Sequence, residues 1–385
     1  SNLCRANNGS YYETQNYAVA ESHEPGSTFK LMDLIALLDD KKVDTSKVYD
    51  TNDGVIEYYG RKVRDSKKGG YGKISLAKGF ELSSNTVLVK AITDNYSDNP
   101  SQFVDRINSY GLNQPLGLQL IGEGKPKIPQ PDTKAWNGLS LPWMAFGYGV
   151  SMTPLQTLTL YNAVANDGVM VKPLFVREIK EWNNSVKKYE PEIINPKIAS
   201  DETLKKVRAV LENVVKRGTG SKLYSKDFSM AGKTGTAQAN YRDKSKLHYV
   251  SSFAGYFPAD NPKYSCIVVV HKPNVSAGYY GADVAGPVFK RIAQKIYTDA
   301  PPTNHIQNIS KDLKVVESSF AGFYKKNQND TKIPNVKGME VMDAISLLEN
   351  LGLKVKVNGV GKVKKQSLNA GEIIQKNQTI ILELS

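Results

Sequence analysis

The sequence predicts an α+β protein: an antiparallel sheet flanked by helices, followed by a small separate α/β unit. Three observations carry this reading. Strand-like runs at 229–237, 250–257 and 264–271 follow one another, with Ala259-Asp260-Asn261-Pro262 as the turn between the last two. Helical patterns stand both before and after these strands, the arrangement of a layered α+β domain. At Pro301-Pro302 the texture changes, and a short apolar unit resumes only at Ile333.

The elements follow in order. Residues 1–26 are polar and irregular. A helix is expected over about 27–39, where Pro25-Gly26 precedes the apolar run Leu31-Met32-Asp33-Leu34-Ile35-Ala36-Leu37-Leu38. Residues 44–75 are rich in Gly, Asp and Tyr and read as loop with short strands. Glu81 to Ile92 carries Val87, Leu88, Val89, Ala91 and Ile92, a helical stretch opened by Ser83-Ser84-Asn85. Asn99-Pro100 breaks it, and another helix is expected over 102–110. Five prolines between 113 and 142 mark a long loop. Thr153-Pro154 starts a helix through Ala165, with a Thr cap and Pro in the first turn. A helix from Glu202 to about Lys216 ends at Gly218 and Gly220, and Val284–Tyr297 is a closing amphipathic helix. Residues 298–332 read as a linker. The unit from Ile333 to Ser385 carries a helix (Val341–Leu351) and strands around 354–357 and 379–382, near the lower size limit for an independent core.

Composition bounds the function. The chain has 385 residues, 40% hydrophobic, and a net charge of +13. The lysines are scattered among acids, with no basic stripe interleaved with aromatics, so nucleic acid is not an expected partner. No stretch approaches the roughly 18 apolar residues of a membrane span. Cys4 and Cys266 are too isolated for a zinc site. Cys266 lies in the apolar run Tyr264–Val270 and reads as a small buried hydrophobe, and a bond between the two cysteines stays open. No cofactor is expected.

Acyl transfer by a serine needs a nucleophile, a base, oxyanion donors and groups that orient the substrate, and the chain offers candidates for them. Ser27-Thr28-Phe29-Lys30 puts a hydroxyl and an amine a helical turn apart on one face. The same spacing occurs in Ser75-Leu76-Ala77-Lys78 and Ser185-Val186-Lys187-Lys188, so the pattern alone does not choose. A lysine base needs desolvation and a cationic neighbour to lower its pKa. The candidate neighbour is Lys233 in Ala231-Gly232-Lys233-Thr234-Gly235-Thr236-Ala237, on an expected strand where glycines mark close approach. A Ser-x-Asn is found in Ser83-Ser84-Asn85, Ser97-Asp98-Asn99 and Ser367-Leu368-Asn369. The second is explained by turn chemistry before Pro100 and the third lies in the C-terminal unit, so Ser83 and Asn85 are preferred.

Ser27-x-x-Lys30, Ser83-x-Asn85 and Lys233-Thr234-Gly235, in this order and with these gaps, resemble the active-site triplet of serine penicillin-binding proteins and β-lactamases. Glu24-Pro25-Gly26-Ser27-Thr28-Phe29-Lys30, and Gly147-Tyr148-Gly149-Val150-Ser151-Met152-Thr153-Pro154-Leu155-Gln156 continued by Tyr161-Asn162-Ala163-Val164-Ala165-Asn166-Asp167-Gly168, resemble class B penicillin-binding proteins. Pro334-Asn335-Val336-Lys337-Gly338-Met339 and Ala344-Ile345 with Leu348 and Gly352-Leu353 resemble one PASTA domain, a pairing that suggests the cell-division branch. The resemblance implies a transpeptidase domain at 1–298, a linker at 299–332 and a PASTA domain at 333–385.

It also implies a peptidoglycan D,D-transpeptidase acting on D-Ala-D-Ala stem peptides and acylated by β-lactams. Ser27 would attack, Lys30 would take its proton, and Ser83 would relay protons. Asn85 would hold Lys30 and the substrate amide. Lys233 with Thr234 and Thr236 would anchor the terminal carboxylate, while Gly235 leaves room for the peptide along the strand and Ser84 joins the substrate contacts. The N–H groups of Ser27 and Thr236 would form the oxyanion hole. No glutamate placed to activate a hydrolytic water is identified, so a long-lived acyl-enzyme is expected. The expected setting is the outer face of a bacterial cytoplasmic membrane, with division-complex proteins as partners. The resemblance further implies that the chain begins inside the catalytic domain, without the family's N-terminal membrane anchor, its pedestal domain and upstream strand sequence. Two other readings stay open: a β-lactam-sensing receptor domain, and a muropeptide-binding module without turnover.

Overall fold

The computed structural model describes residues 3–5, 11–13, 15–182, 184–239, 247–276, 278–299, 331–375 and 378–385. The chain divides into two units, Ser1–Pro302 and Thr303–Ser385. The expected linker falls almost wholly outside the described residues.

In the first unit β1 (Leu3–Arg5) and β2 (Tyr11–Glu13) pair antiparallel, and α1 (Tyr17–Ala20) follows. The expected helix over 27–39 begins differently: a 3-10 turn, Gly26–Thr28, precedes α2 (Lys30–Asp39). Gly26 adopts φ +55 and the Thr28 hydroxyl donates to Pro25 O at 2.8 Å, which tightens the chain before the α-helix can start. Leu31, Met32, Leu34, Ile35, Ala36 and Leu37 are all buried, so α2 runs through the middle of the core.

Residues 44–75 form paired short strands: β3 (Val48–Asp50), β4 (Val55–Tyr58), β5 (Arg61–Arg64) and β6 (Lys73–Ser75), with β3 on β6 and β4 on β5. The helical stretch expected from Glu81 to Ile92 is two helices, α3 (Leu76–Glu81) and α4 (Asn85–Tyr96). Ser83 takes φ +57, which no helix accommodates, and Ser84 caps α4 by accepting from Val87 N. Then come α5 (Pro100–Ser109), the short α6 (Ser140–Met144) and α7 (Pro154–Ala165). At α7 the Thr153 hydroxyl accepts from Gln156 N while the Gln156 side chain accepts from Thr153 N, a reciprocal cap.

Four strands not anticipated from sequence follow: β7 (Met170–Val171), β8 (Glu178–Glu181), β9 (Asn184–Lys188) and β10 (Ile193–Asn195), paired β7–β10 and β8–β9. Next is α8 (Asp201–Arg217), with acids in its first turn and Lys216 and Arg217 in its last, matching the helix dipole. The sheet is β11 (Ala231–Ala239), β12 (His248–Phe257) and β13 (Tyr264–His271), antiparallel in that order. Alternation along β12 serves two cores. Ala254 and Tyr256 join the large cluster built on α2, α4, α7 and α8, whereas Phe253 and Phe257 pack on Phe289 of α9 (Gly281–Asp299). The sheet is thus covered on both faces. Cys266, half-buried on β13, carries a free thiol that burial pushes up to about 11.

The second unit holds α10 (Val341–Asn350), β14 (Lys354–Asn358), β15 (Val363–Gln366) and β16 (Thr379–Leu384). β16 is central, parallel to β14 and antiparallel to β15. Its own core gathers Ile333, Val336, Ala344, Leu347, Leu348, Ile380 and Leu382. Among the described residues no helix is long and apolar enough to cross a membrane.

Candidate active site

The turn that carries Ser27 is held from outside its own helix. Gly26 N donates to Gly147 O at 3.1 Å, Gly149 N donates to a Glu24 carboxylate oxygen at 2.8 Å, and the Tyr161 hydroxyl of α7 donates to Thr28 O at 3.0 Å. Gly147 adopts φ +82, and a Cβ there would overlap the Gly26 carbonyl. Only glycine allows the two backbones to approach this closely. Ser27 remains partly exposed and lines a cleft with Ser83, Asn85, Thr234, Thr236 and Tyr148.

The second wall is the bend between α3 and α4. Glu81, fully buried, is paired with Arg217 at 2.8 Å and Lys78 at 3.1 Å, and Glu81 O accepts from Thr219 N. These contacts tie the approach to Ser83 to the end of α8. The left-handed conformation of Ser83, uncommon for a residue with a side chain, presents both its carbonyl and its hydroxyl to the interior.

Two lysines meet at this bend. Lys30 Nζ donates to Ser83 O at 2.8 Å and to Asn85 Oδ1 at 2.7 Å, and lies 3.5 Å from Ser83 Oγ. Lys233 Nζ donates to Ser83 Oγ at 2.8 Å and to Thr234 O at 3.1 Å, beside the Phe80 ring. Both lysines are 0% exposed. Burial lowers the Lys30 amine to about 7, opposed by Asp65 and Asp33. Burial, then the charge of Lys30, holds Lys233 well below the usual lysine range. Burial pushes the Asp33 carboxyl well up, against the pull of Lys30. The centre therefore offers an amine that is a free base near neutral pH, linked to a second amine through one serine hydroxyl.

The structure brings Ser27, Lys30, Ser83, Asn85, Lys233, Thr234 and Thr236 to one place. Three expectations change in detail. Ser84, expected to contact substrate, is 1% exposed and serves as the cap of α4, with its hydroxyl also donating to Asp65. Gly235, expected to leave room for a peptide, leaves room for this chain, since a Cβ would overlap Ser252 Oγ and crowd Thr28. Lys233 lies beneath Ser83 rather than in the cleft lining, with its amine on Ser83 Oγ. The other matches have plain structural roles: Ser75 caps α3 by accepting from Lys78 N, and Ser185 lies on the exposed strand β9.

Sequence reasoning missed several lining residues. Thr219 shares a hydrogen bond with Thr234 at 2.8 Å, and Gly281 N donates to Thr236 Oγ1 at 3.0 Å. Tyr249 and Tyr279 stack with centroids 4.2 Å apart at the rim, and Asp65 closes the side next to Asn85. Gly218-Thr219-Gly220 between a helix and a strand was a usable local signal. The others had none.

The comparisons with known proteins agree on one family. The model of the penicillin binding protein transpeptidase domain matches residues 3–294, and that of the PASTA domain matches 331–385. Stage V sporulation protein D of Bacillus subtilis is 32% identical over 382 residues, covering 96% of this chain and 55% of that protein. Peptidoglycan D,D-transpeptidase FtsI of Escherichia coli K12 is 29% identical over 280 residues, covering 72% of this chain and 44% of that protein. The chain spans about half the length of the curated relatives it matches. Among solved structures, penicillin-binding protein 3 of Mycobacterium tuberculosis in complex with aztreonam superposes with a TM-score of 0.65 at 29% identity, covering 74% of this chain and 65% of that one. The transpeptidase domain of Burkholderia pseudomallei penicillin-binding protein 3 gives 0.64 at 25% identity, covering 75% and 82%.

Proposed function

Because the chain belongs to the penicillin-binding protein transpeptidase family, we propose that it is a serine D,D-transpeptidase that cross-links peptidoglycan stem peptides. The observation that carries this reading is the Lys30 amine, brought to about 7 and held by Ser83 O and Asn85 Oδ1, two residues that line one cleft with Ser27.

Ser27 Oγ attacks the carbonyl of the D-Ala-D-Ala bond, and its proton passes to Lys30. The N–H groups of Ser27 and Thr236 receive the developing oxyanion. The C–N bond breaks, the leaving D-Ala amine takes a proton by way of Ser83, and an acyl ester remains on Ser27. An amine of a second stem peptide attacks that ester, gives up its proton through the same relay, and returns Ser27 to its hydroxyl. Thr234 and Thr236 hold the terminal carboxylate, with the Lys233 amine donating to Ser83 Oγ from below. Asn85 contacts the substrate amide.

A β-lactam would enter as a substrate mimic and leave a long-lived ester. The solved relative bound to aztreonam supports that inhibitor class. The domain assignment, 1–298 for catalysis and 333–385 for the PASTA unit, belongs to this reading. So do a place on the outer face of the cytoplasmic membrane and division-complex partners, supported by the pairing of the two family matches. The test is labelling with a fluorescent penicillin and mass spectrometry of the adduct. Ser27→Ala loses the label, whereas Ser75→Ala and Ser185→Ala keep it. Label retained by Ser27→Ala would sink the reading.

A further inference from the structure

One carboxylate outside the lysine–serine centre holds the bend on which that centre depends. Asp65 follows the β4–β5 hairpin and accepts from four groups of the next wall. Its Oδ1 takes the N–H of Asn85 at 2.7 Å and of Thr86 at 3.0 Å. Its Oδ2 takes the Thr86 hydroxyl at 2.8 Å, and Ser84 Oγ reaches both oxygens at 3.0 and 3.1 Å. The preceding residue adds a fifth bond, Asn85 Nδ2 donating to Arg64 O at 2.8 Å. With one of its two amide N–H groups held there, Asn85 turns its Oδ1 to Lys30 Nζ.

We infer that Asp65 is a positioning residue for acyl transfer: it fixes the Ser83–Asn85 bend and, through Asn85, the amine of Lys30. The inference rests on the reading of Lys30 as the base. Asp65 acts on that amine in two separable ways. Its hydrogen bonds set where Asn85 stands. Its negative charge faces Lys30 and favours the ammonium, together with Asp33 from α2, while Lys233 from β11 is itself lowered by burial and then by the charge of Lys30. Asp65 also accepts the first two N–H groups of α4, and Ser84 accepts that of Val87; a cap alone would not bear on the Lys30 amine.

The experiment follows the acylation rate of the full chain by a fluorescent penicillin across about pH 5 to about pH 9, for wild type, Asp65→Asn, Asp65→Glu and Ser84→Ala. Asp65→Asn removes the charge at nearly constant shape. Its acidic limb moves to lower pH, because an amine without the facing carboxylate loses its proton more readily, and its maximal rate falls roughly tenfold or more through misplacement of the amine. Asp65→Glu keeps the charge and shifts the reach, so its limb stays with wild type while the rate falls, which covers the case in which Asp65→Asn does not fold. Ser84→Ala weakens the cap and leaves the limb in place. A labelled wild type with Asp65→Asn or Asp65→Glu matching it in rate and limb overturns the role of Asp65 and spares the acyl-serine reading. An unlabelled wild type overturns both.

Discussion

A lysine with an ordinary pKa near 10.5 is almost wholly protonated at pH 7 and cannot serve as a base there. Bringing Lys30 to about 7 raises its free-amine fraction at neutral pH on the order of a thousandfold. The acylation rate is therefore expected to fall as pH drops through about 7, and stopped-flow labelling against pH measures the limb. The same shift acts on stability with a definite sign. Between about 7 and 10.5 the unfolded chain binds a proton at this lysine that the folded chain does not. The penalty of burying Lys30 is thus complete below about 7 and fades as pH rises toward 10.5. Against Lys30→Met as reference, wild type gains stability over that window, and urea melts at several pH values test the direction. Lys30 and its partners were legible in the sequence because three motifs follow one another in a fixed order with fixed gaps, although the spacing of Ser27 and Lys30 alone recurs at two other places. Asp65 was not, because a lone aspartate acquires its role only when the hairpin folds back on the Ser83 bend.

At the level of elements, two changes separate stability from site geometry. Thr153→Ala removes the reciprocal cap of α7 and is expected to cost about 1 kcal/mol, seen as a lower melting temperature with little change in labelling per folded molecule. Gly147→Ala forces a Cβ against the Gly26 carbonyl at φ +82. It adds roughly 1–2 kcal/mol of left-handed backbone strain and moves the Ser27 turn, so labelling should fall further than the melting temperature alone explains. Equal relative losses in the two variants would count against a bracing role for Gly147. The cap of α7 could be read directly, since Thr-Pro followed by Gln is a local signal. The opening of α4 at Ser83-Ser84-Asn85 was read too, whereas the short helix α3 before it was not, because six residues are too few to show a helical period. The strands β7 and β10 escaped notice because runs of two and three residues show no period, and β8 and β9 because both are largely exposed and carry no apolar alternation.

At the scale of the whole molecule, every residue of the candidate site lies in the first unit, Ser1–Pro302, and the second unit has a separate core. A chain ending at Pro302 is expected to label at the rate of the full chain, compared at equal folded concentration. A clearly slower rate would show that the second unit contributes to acylation. The α+β class was legible because sheet and helices have distinct periods. What could not be read was how far apart in sequence the contacts of one cleft would lie. The Ser27 turn is braced by Gly147, and the strand opposite it is fastened at Thr236 by Gly281 N. A ribosome making this protein therefore produces the nucleophile well before the last clasp of its cleft. Nascent chains halted before Gly281 carry the full triplet of motifs with that clasp missing, so the onset of reactivity toward penicillin is expected to mark the emergence of Gly281.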